Sequence, residues 1–162
     1  MLFRSGLARV GAALAAGRVE KGVHRVRGEA NINGKPAVPG MDVRAGDVII
    51  TGRGGELVFV VGHDAMLVRA DSRVEIGGKA GALIATGLRI VTGAVLSVFT
   101  PGQKKTVQTR TATIGIRGTG LYVEIHPQRD YVCTCYGVAD IVPIDDPSSR
   151  ETVETKIGRA HV

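Results

Sequence analysis

Tryptophan is missing from the 162 residues, and three phenylalanines and three tyrosines are all the aromatic surface the chain has. A platform that stacks single-stranded nucleic acid needs exposed rings beside a basic groove. Tyr122 and Tyr131, with Arg117 and Arg129 near them in sequence, are too few to build one. No apolar run approaches the ~20 residues that a membrane-spanning helix requires. Cysteine occurs twice, at Cys133 and Cys135, which excludes a disulfide framework and leaves the redox compartment open. The four histidines, His24, His63, His126 and His161, are scattered and form no metal-ligand spacing. Gly52-Arg53-Gly54-Gly55 lacks the Gly-Lys-Ser/Thr ending that cradles a phosphate, and Gly115-x-x-Gly118-x-Gly120 is flanked by strand-like segments, unlike a dinucleotide fingerprint. No cofactor is implied, and nothing in the chain argues for catalysis.

Positive charge is also scarce where a DNA-binding domain would carry it. The net charge is +6, yet six of the 21 basic residues and one of the 15 acidic residues fall within residues 1–27. The remaining chain is close to neutral and offers no basic face to a phosphate backbone, so nucleic acid is not an expected partner. Residues 1–25 stand apart: Arg4, a short Leu/Ala stretch and the small-residue pattern Ala13-Leu14-Ala15. They read as a signal-peptide remnant or as a basic arm, disordered or helical, with a membrane-surface helix as the third reading.

What the chain does have is glycine, 23 residues of it, about twice the usual share of ~7%. From Val26 onward, short apolar segments rich in Val and Ile are separated by turn signals every 8–12 residues, the rhythm of an all-β domain. Asn33-Gly34 is a hairpin signal. Glu56–Val61 shows little alternation and reads as a strand covered on both faces. Gly62-His63-Asp64 reads as a turn in which the Asp64 carboxylate accepts bonds from following backbone N–H groups. Gly77–Gly87 is the least determinate stretch. The β domain is expected over 26–144, as a compact twisted β-roll or sandwich, with β-helix-like winding as a variant. Residues 145–162 form a polar tail with a short strand around Thr152–Lys156.

The centre of the pattern is Thr111–Ile125. Ala112, Ile114 and Ile116 share one face, and Leu121, Val123 and Ile125 resume it beyond Gly118-Thr119-Gly120. Glycines on either side of Thr119 predict a corner between two strands, with Arg117 placed to bind carbonyls freed from the ladder. Ile114-Gly115-Ile116-Arg117-Gly118-Thr119-Gly120-Leu121 resembles the signature V-G-[VI]-R-G-T-x-F of the FecR-domain family of bacterial envelope proteins. Gly46-Asp47-Val48-Ile49-Ile50-Thr51-Gly52 is similar to that family's G-D-x-[IL]-x-T-G, and Gly55–Phe59 to its G-x-[AV]-x-[LF] strand. The likeness runs from about Val26 to about Val142. It departs from the family pattern at Gly62-His63-Asp64-Ala65, where D-G-S is usual, and at Leu121, where Phe is common.

The resemblance implies a noncatalytic periplasmic or secreted module that senses or transmits a signal, or acts as a scaffold, through a protein partner in the bacterial envelope. It implies Arg117, Gly118, Thr119 and Tyr122 as binding residues. The family's regulators also carry a cytoplasmic helical segment, a membrane helix and a further signalling domain, none of which matches a segment of this sequence. Strand addition at an exposed edge is the expected mode of contact, with Met41–Arg44 and Tyr131–Cys135 as candidate edges. The alternative is an envelope glycan- or small-molecule-binding domain using Arg117, Thr119, Tyr122 and Glu124. Cys133 and Cys135, two apart on a strand, share a face. They read as small apolar residues filling a buried face, as a redox pair, or as half of a metal site completed by His126 or His63.

Overall fold

A computed structural model describes residues 20–155. Residues 1–19 and the end of the tail lie outside them, and with them most of the basic-arm segment. Among the described residues, thirteen strands form one continuous sheet, curled into a half-barrel as a compact twisted β-roll.

The roll has two wings joined by a shared hairpin. In chain order the strands are β1 (Gly22–Arg27), β2 (Ala30–Ile32), β3 (Lys35–Pro36), β4 (Val48–Thr51), β5 (Glu56–Val61), β6 (Asp64–Val68) and β7 (Arg73–Gly77). They continue as β8 (Gly87–Thr92), β9 (Ala94–Val98), β10 (Lys105–Gln108), β11 (Ala112–Ile125), β12 (Asp130–Pro143) and β13 (Glu151–Thr155). The first wing runs β1-β5-β6-β9 and ends on the second half of β11. The second wing starts at the first half of β11 and runs β10-β8-β7-β4-β2-β3. All of these pairs are antiparallel except β8 with β10. Strand β12 lies along the full length of β11, and β13 pairs with Gly137–Ile141 of β12.

Period-two burial explains why both wings hold together. Asp64, Met66 and Val68 of β6 are buried and alternate with half-buried Ala65 and Leu67, and Val74 and Ile76 of β7 are buried on either side of half-buried Glu75. One hydrophobic cluster collects these inward residues from both wings, including Leu57, Phe59, Val68 and Leu121 from the first and Ile49, Val74, Ile90 and Ile114 from the second. Burying a side chain of this size contributes about 1.5–3 kcal/mol. In β5 the expected two-sided cover is only partial: Glu56 and Val58 are half-buried, and Val60 and Val61 are both buried.

Several segments differ from the sequence reading. The chain from Val26 to Ile32 is not one strand. Gly28 and Glu29 break it, sending β1 to the first wing and β2 to the second. Met41–Arg44 is not a strand, although the Met41 carbonyl accepts a bond from Val23 N at 2.8 Å. Residues 78–86 are loop, and Gly87 opens β8. Asn33-Gly34 is the hairpin turn between β2 and β3, with positive φ at both residues (52° and 79°), as the twist of a two-residue hairpin demands.

Candidate functional site

The shared hairpin carries every residue singled out from the central motif. Strand β11 does not break at Gly118-Thr119-Gly120 as the glycines predict; it runs through as a single strand with a bulge. Gly118 pairs with Gly137 and Gly120 with Tyr136, so Thr119 is the extra residue on β11. The next pair is Leu121 with Thr134, so Cys135 is the extra residue on β12, and the second bulge restores the register. Paired bulges bend both strands while keeping most of the ladder. They carry the hairpin from one wing into the other without a loop. Gly118 has φ of 147°, and a Cβ there would stand 2.5 Å from Gly137 Cα, so two glycines facing each other permit the close approach. The Tyr136 ring lies against Gly120.

Arg117 does not bind freed carbonyls. Its guanidinium donates to the Asp140 carboxylate at 3.1 Å, across the β11–β12 ladder. Arg150 approaches the same carboxylate at 3.6 Å, and the Thr152 hydroxyl donates to it at 2.7 Å. The Thr152 bond, with Arg117 and Arg150, holds the Asp140 carboxyl below its ordinary range. This cluster ties β13 to the second wing.

Tyr122 belongs to a different cluster, in the first wing. Its hydroxyl accepts from Arg69 at 3.2 Å and donates to Glu124 at 2.9 Å, while burial pushes its pKa up. Tyr131 meets the Tyr122 ring edge-on, with centroids 6.2 Å apart. The side chain of Thr119 lies outside the described residues. Arg117 is therefore fixed on one wing, and Tyr122 and Glu124 on the other. The convergent polar site expected for a glycan or small molecule is not assembled by these contacts.

The edge of the first wing beyond β11 is the first half of β12. Residues 130–136 pair with β11 on one side, and no other described strand pairs with them on the other. Their backbone direction follows from two bonds. Ile125 N donates to Gly93 O at 2.8 Å, away from β12, and His126 N donates to Arg129 O at 3.0 Å, toward it. Alternation along an antiparallel pair then turns Tyr131 and Cys133 toward β11, and leaves Asp130, Val132 and Thr134 with N–H and C=O aimed outward. Thr134 Oγ1 and Asp130 Oδ1 are buried and have no hydrogen-bond partner among the described residues. Of the two edges named from sequence, Tyr131–Cys135 is an open edge and Met41–Arg44 is not a strand.

The cysteines do not fill a buried face. Cys133 is half-buried, Cys135 is exposed, and both are free thiols. Inward positions on this segment belong to Val132 and Thr134. No cluster of three or more His, Cys, Asp or Glu side chains able to hold a metal occurs among the described residues. His126 instead faces Glu124 at 3.5 Å.

One feature escaped the sequence reading. Asp64 is the first residue of β6, not a turn residue, and it points into the roll. Its carboxylate meets Lys105 Nζ at 2.9 Å, with both side chains only 3% exposed. Asp64 also accepts a bond from Thr100 N at 2.9 Å, and Lys105 donates to the Ala85 carbonyl. The pair pins β6 of the first wing to β10 of the second. Sequence did hold a signal for it: Asp64 is in phase with Met66 and Val68, and Lys105 with Val107, so opposite charges sat at two core positions.

No family model matches the chain, and no curated protein is significantly similar to it. Among solved structures, it is similar to two crystal structures of a "putative anti-sigma factor" from Parabacteroides distasonis. Each gives a TM-score of 0.53 at 14% identity, over 66% of this chain and 50% of that one. The chain spans half the length of those proteins, and at this identity the likeness is one of fold.

Proposed function

We propose that the chain is a noncatalytic, FecR-like module of the bacterial periplasm or cell surface, which senses or transmits a signal by holding a protein partner. The contact is strand addition: an extended segment of the partner pairs with residues 130–136 of β12. The observation that carries this reading is the open edge itself, three residues with outward N–H and C=O groups in a strand already held rigid by β11. Charge does not guard it, since Asp130 is its only charged residue, whereas an edge under selection against pairing usually carries Lys or Pro. The three FecR-like motifs and the name borne by the structural neighbours support a signalling role.

The test is a crosslinking pull-down from envelope extracts with the whole chain as bait, beside Thr134→Pro. Proline there deletes an outward donor and leaves the β11 ladder intact. A partner captured by the wild type and lost with Thr134→Pro is the expected result. Capture that survives the substitution, or no protein capture at all, would sink strand addition at this edge.

A further inference from the structure

The open edge carries both of the chain's thiols, and nothing in the proposed contact uses them. Cys133 and Cys135 both project from the segment that a partner would pair with, and Cys135 Sγ lies 3.8 Å from the Cys133 carbonyl oxygen. Partial desolvation first, and then Cys133, hold the Cys135 thiol above its ordinary value, so its thiolate fraction and its rate of exchange rise with pH. In a fully extended strand, Cα atoms two residues apart are separated by about 6.5–7 Å. A disulfide tolerates separations of about 4.4–6.8 Å. An ordinary strand therefore leaves an i, i+2 pair at the outer limit of what a disulfide spans. This strand is not ordinary, because Cys135 is the bulged residue without a partner on β11. A bulge bends the strand and shortens its span, and the bulged residue is the one the ladder restrains least.

We propose that Cys133 and Cys135 form a thiol–disulfide exchange site whose oxidation closes the docking edge. The co-reactant is a small-molecule disulfide. The exposed Cys135 thiolate attacks one of its sulfurs, forming a mixed disulfide and releasing one small thiolate. Cys133 gives its proton to solvent, attacks Cys135 Sγ and expels the second small thiolate. Two protein thiols are oxidised to one bond, and one small disulfide is reduced to two thiols. Closing that bond draws residues 133 and 135 together, which forces Thr134 out of the extended geometry. The outward N–H and C=O groups of Val132 and Thr134 then no longer match an incoming strand. A bond strained in this way has a high reduction potential and is readily reversed, the property of a regulatory disulfide rather than a structural one. The effect on partner binding rests on the strand-addition reading above, while the exchange chemistry does not.

The experiment uses the whole chain, reduced, desalted, exposed to oxidised glutathione, and quenched by alkylation. Arg129 and Arg150 flank a tryptic peptide that holds both cysteines, so mass spectrometry reads the product directly. The wild type is expected to yield this peptide unalkylated and lighter by two hydrogens. Cys133→Ser is expected to stop at a glutathione adduct on Cys135, and Cys135→Ser to react more slowly than the wild type. On oxidation the amide NMR signals of Val132 and Thr134 shift, and partner capture falls by about tenfold or more. Both thiols still alkylatable in excess disulfide would overturn the proposal. So would a wild type arrested at the adduct, or ring closure that leaves those amide signals in place. If the ring closes and the amides shift but reduced protein captures no partner, the strand-addition reading fails and the exchange site stands.

Discussion

Lys105 and Asp64 put a full positive and a full negative charge inside the roll, at the junction of its two wings. Each charge is buried and bonded: the ammonium by the carboxylate and the Ala85 carbonyl, the carboxylate also by Thr100 N. Removing one partner strands the other in a medium that cannot solvate it, at a cost of about 3–5 kcal/mol. Lys105→Met is therefore expected to lower the denaturant midpoint sharply, and adding Asp64→Asn, which keeps an acceptor for Thr100 N, to recover much of the loss. Chemical denaturation followed by circular dichroism checks this, and an unchanged midpoint for Lys105→Met would refute it. The pair was readable in principle, because in-phase charges on two strands are a legible anomaly. What was missing is that the two strands face each other, and no local pattern reports that. The cysteines failed for a related reason: alternation put both on one face, but which face is outward depends on the pairing of Thr134 with Leu121, across the hairpin.

Among the elements, β13 is held differently from the rest. Like the two-residue β3 it has no buried hydrophobic residue, and one of its attachments beyond the ladder with β12 is the Asp140 cluster, reached by Thr152 and by the neighbouring Arg150. The Asp140 carboxyl titrates below its ordinary value, chiefly through the Thr152 hydroxyl, then through Arg117 and Arg150. A depressed carboxyl stabilises the folded form above the ordinary carboxylate range, and that contribution disappears as pH falls through the folded value. Protection factors of the β13 amides, which correct for the intrinsic slowing of exchange in acid, are thus expected to fall at acid pH ahead of those in β9, and Asp140→Asn to reduce the difference. Equal acid sensitivity in the two strands would count against the cluster as the tether. Strand existence was the most legible feature of the chain: the alternation and turn signals located the strand at Glu56–Val61 and the Asn33-Gly34 hairpin. The continuity of β11 was not, because glycines that signal a break in isolation signal a bulge once a partner strand bulges beside them.

Over the whole molecule, the wings have one core and one hairpin in common, and six of the twelve strand pairings among the described residues join strands that are not consecutive in the chain. Two consequences follow for folding. The chain is expected to fold slowly, as domains dominated by distant β pairings do. It is also expected to unfold in a single step. Protection of amides in β5 of the first wing and β7 of the second should then collapse at the same denaturant concentration, and separate midpoints would show that each wing stands alone. The bulged corner also decides where the chain tolerates being opened. New termini or inserted sequence are accepted where the backbone is exposed and pairs with nothing, as in the exposed stretch at residues 101–104 between β9 and β10. At Gly118–Gly120 the same cut would unstitch both wings together, so the stretch that looks most like a loop from its glycines is the least permissive site for circular permutation.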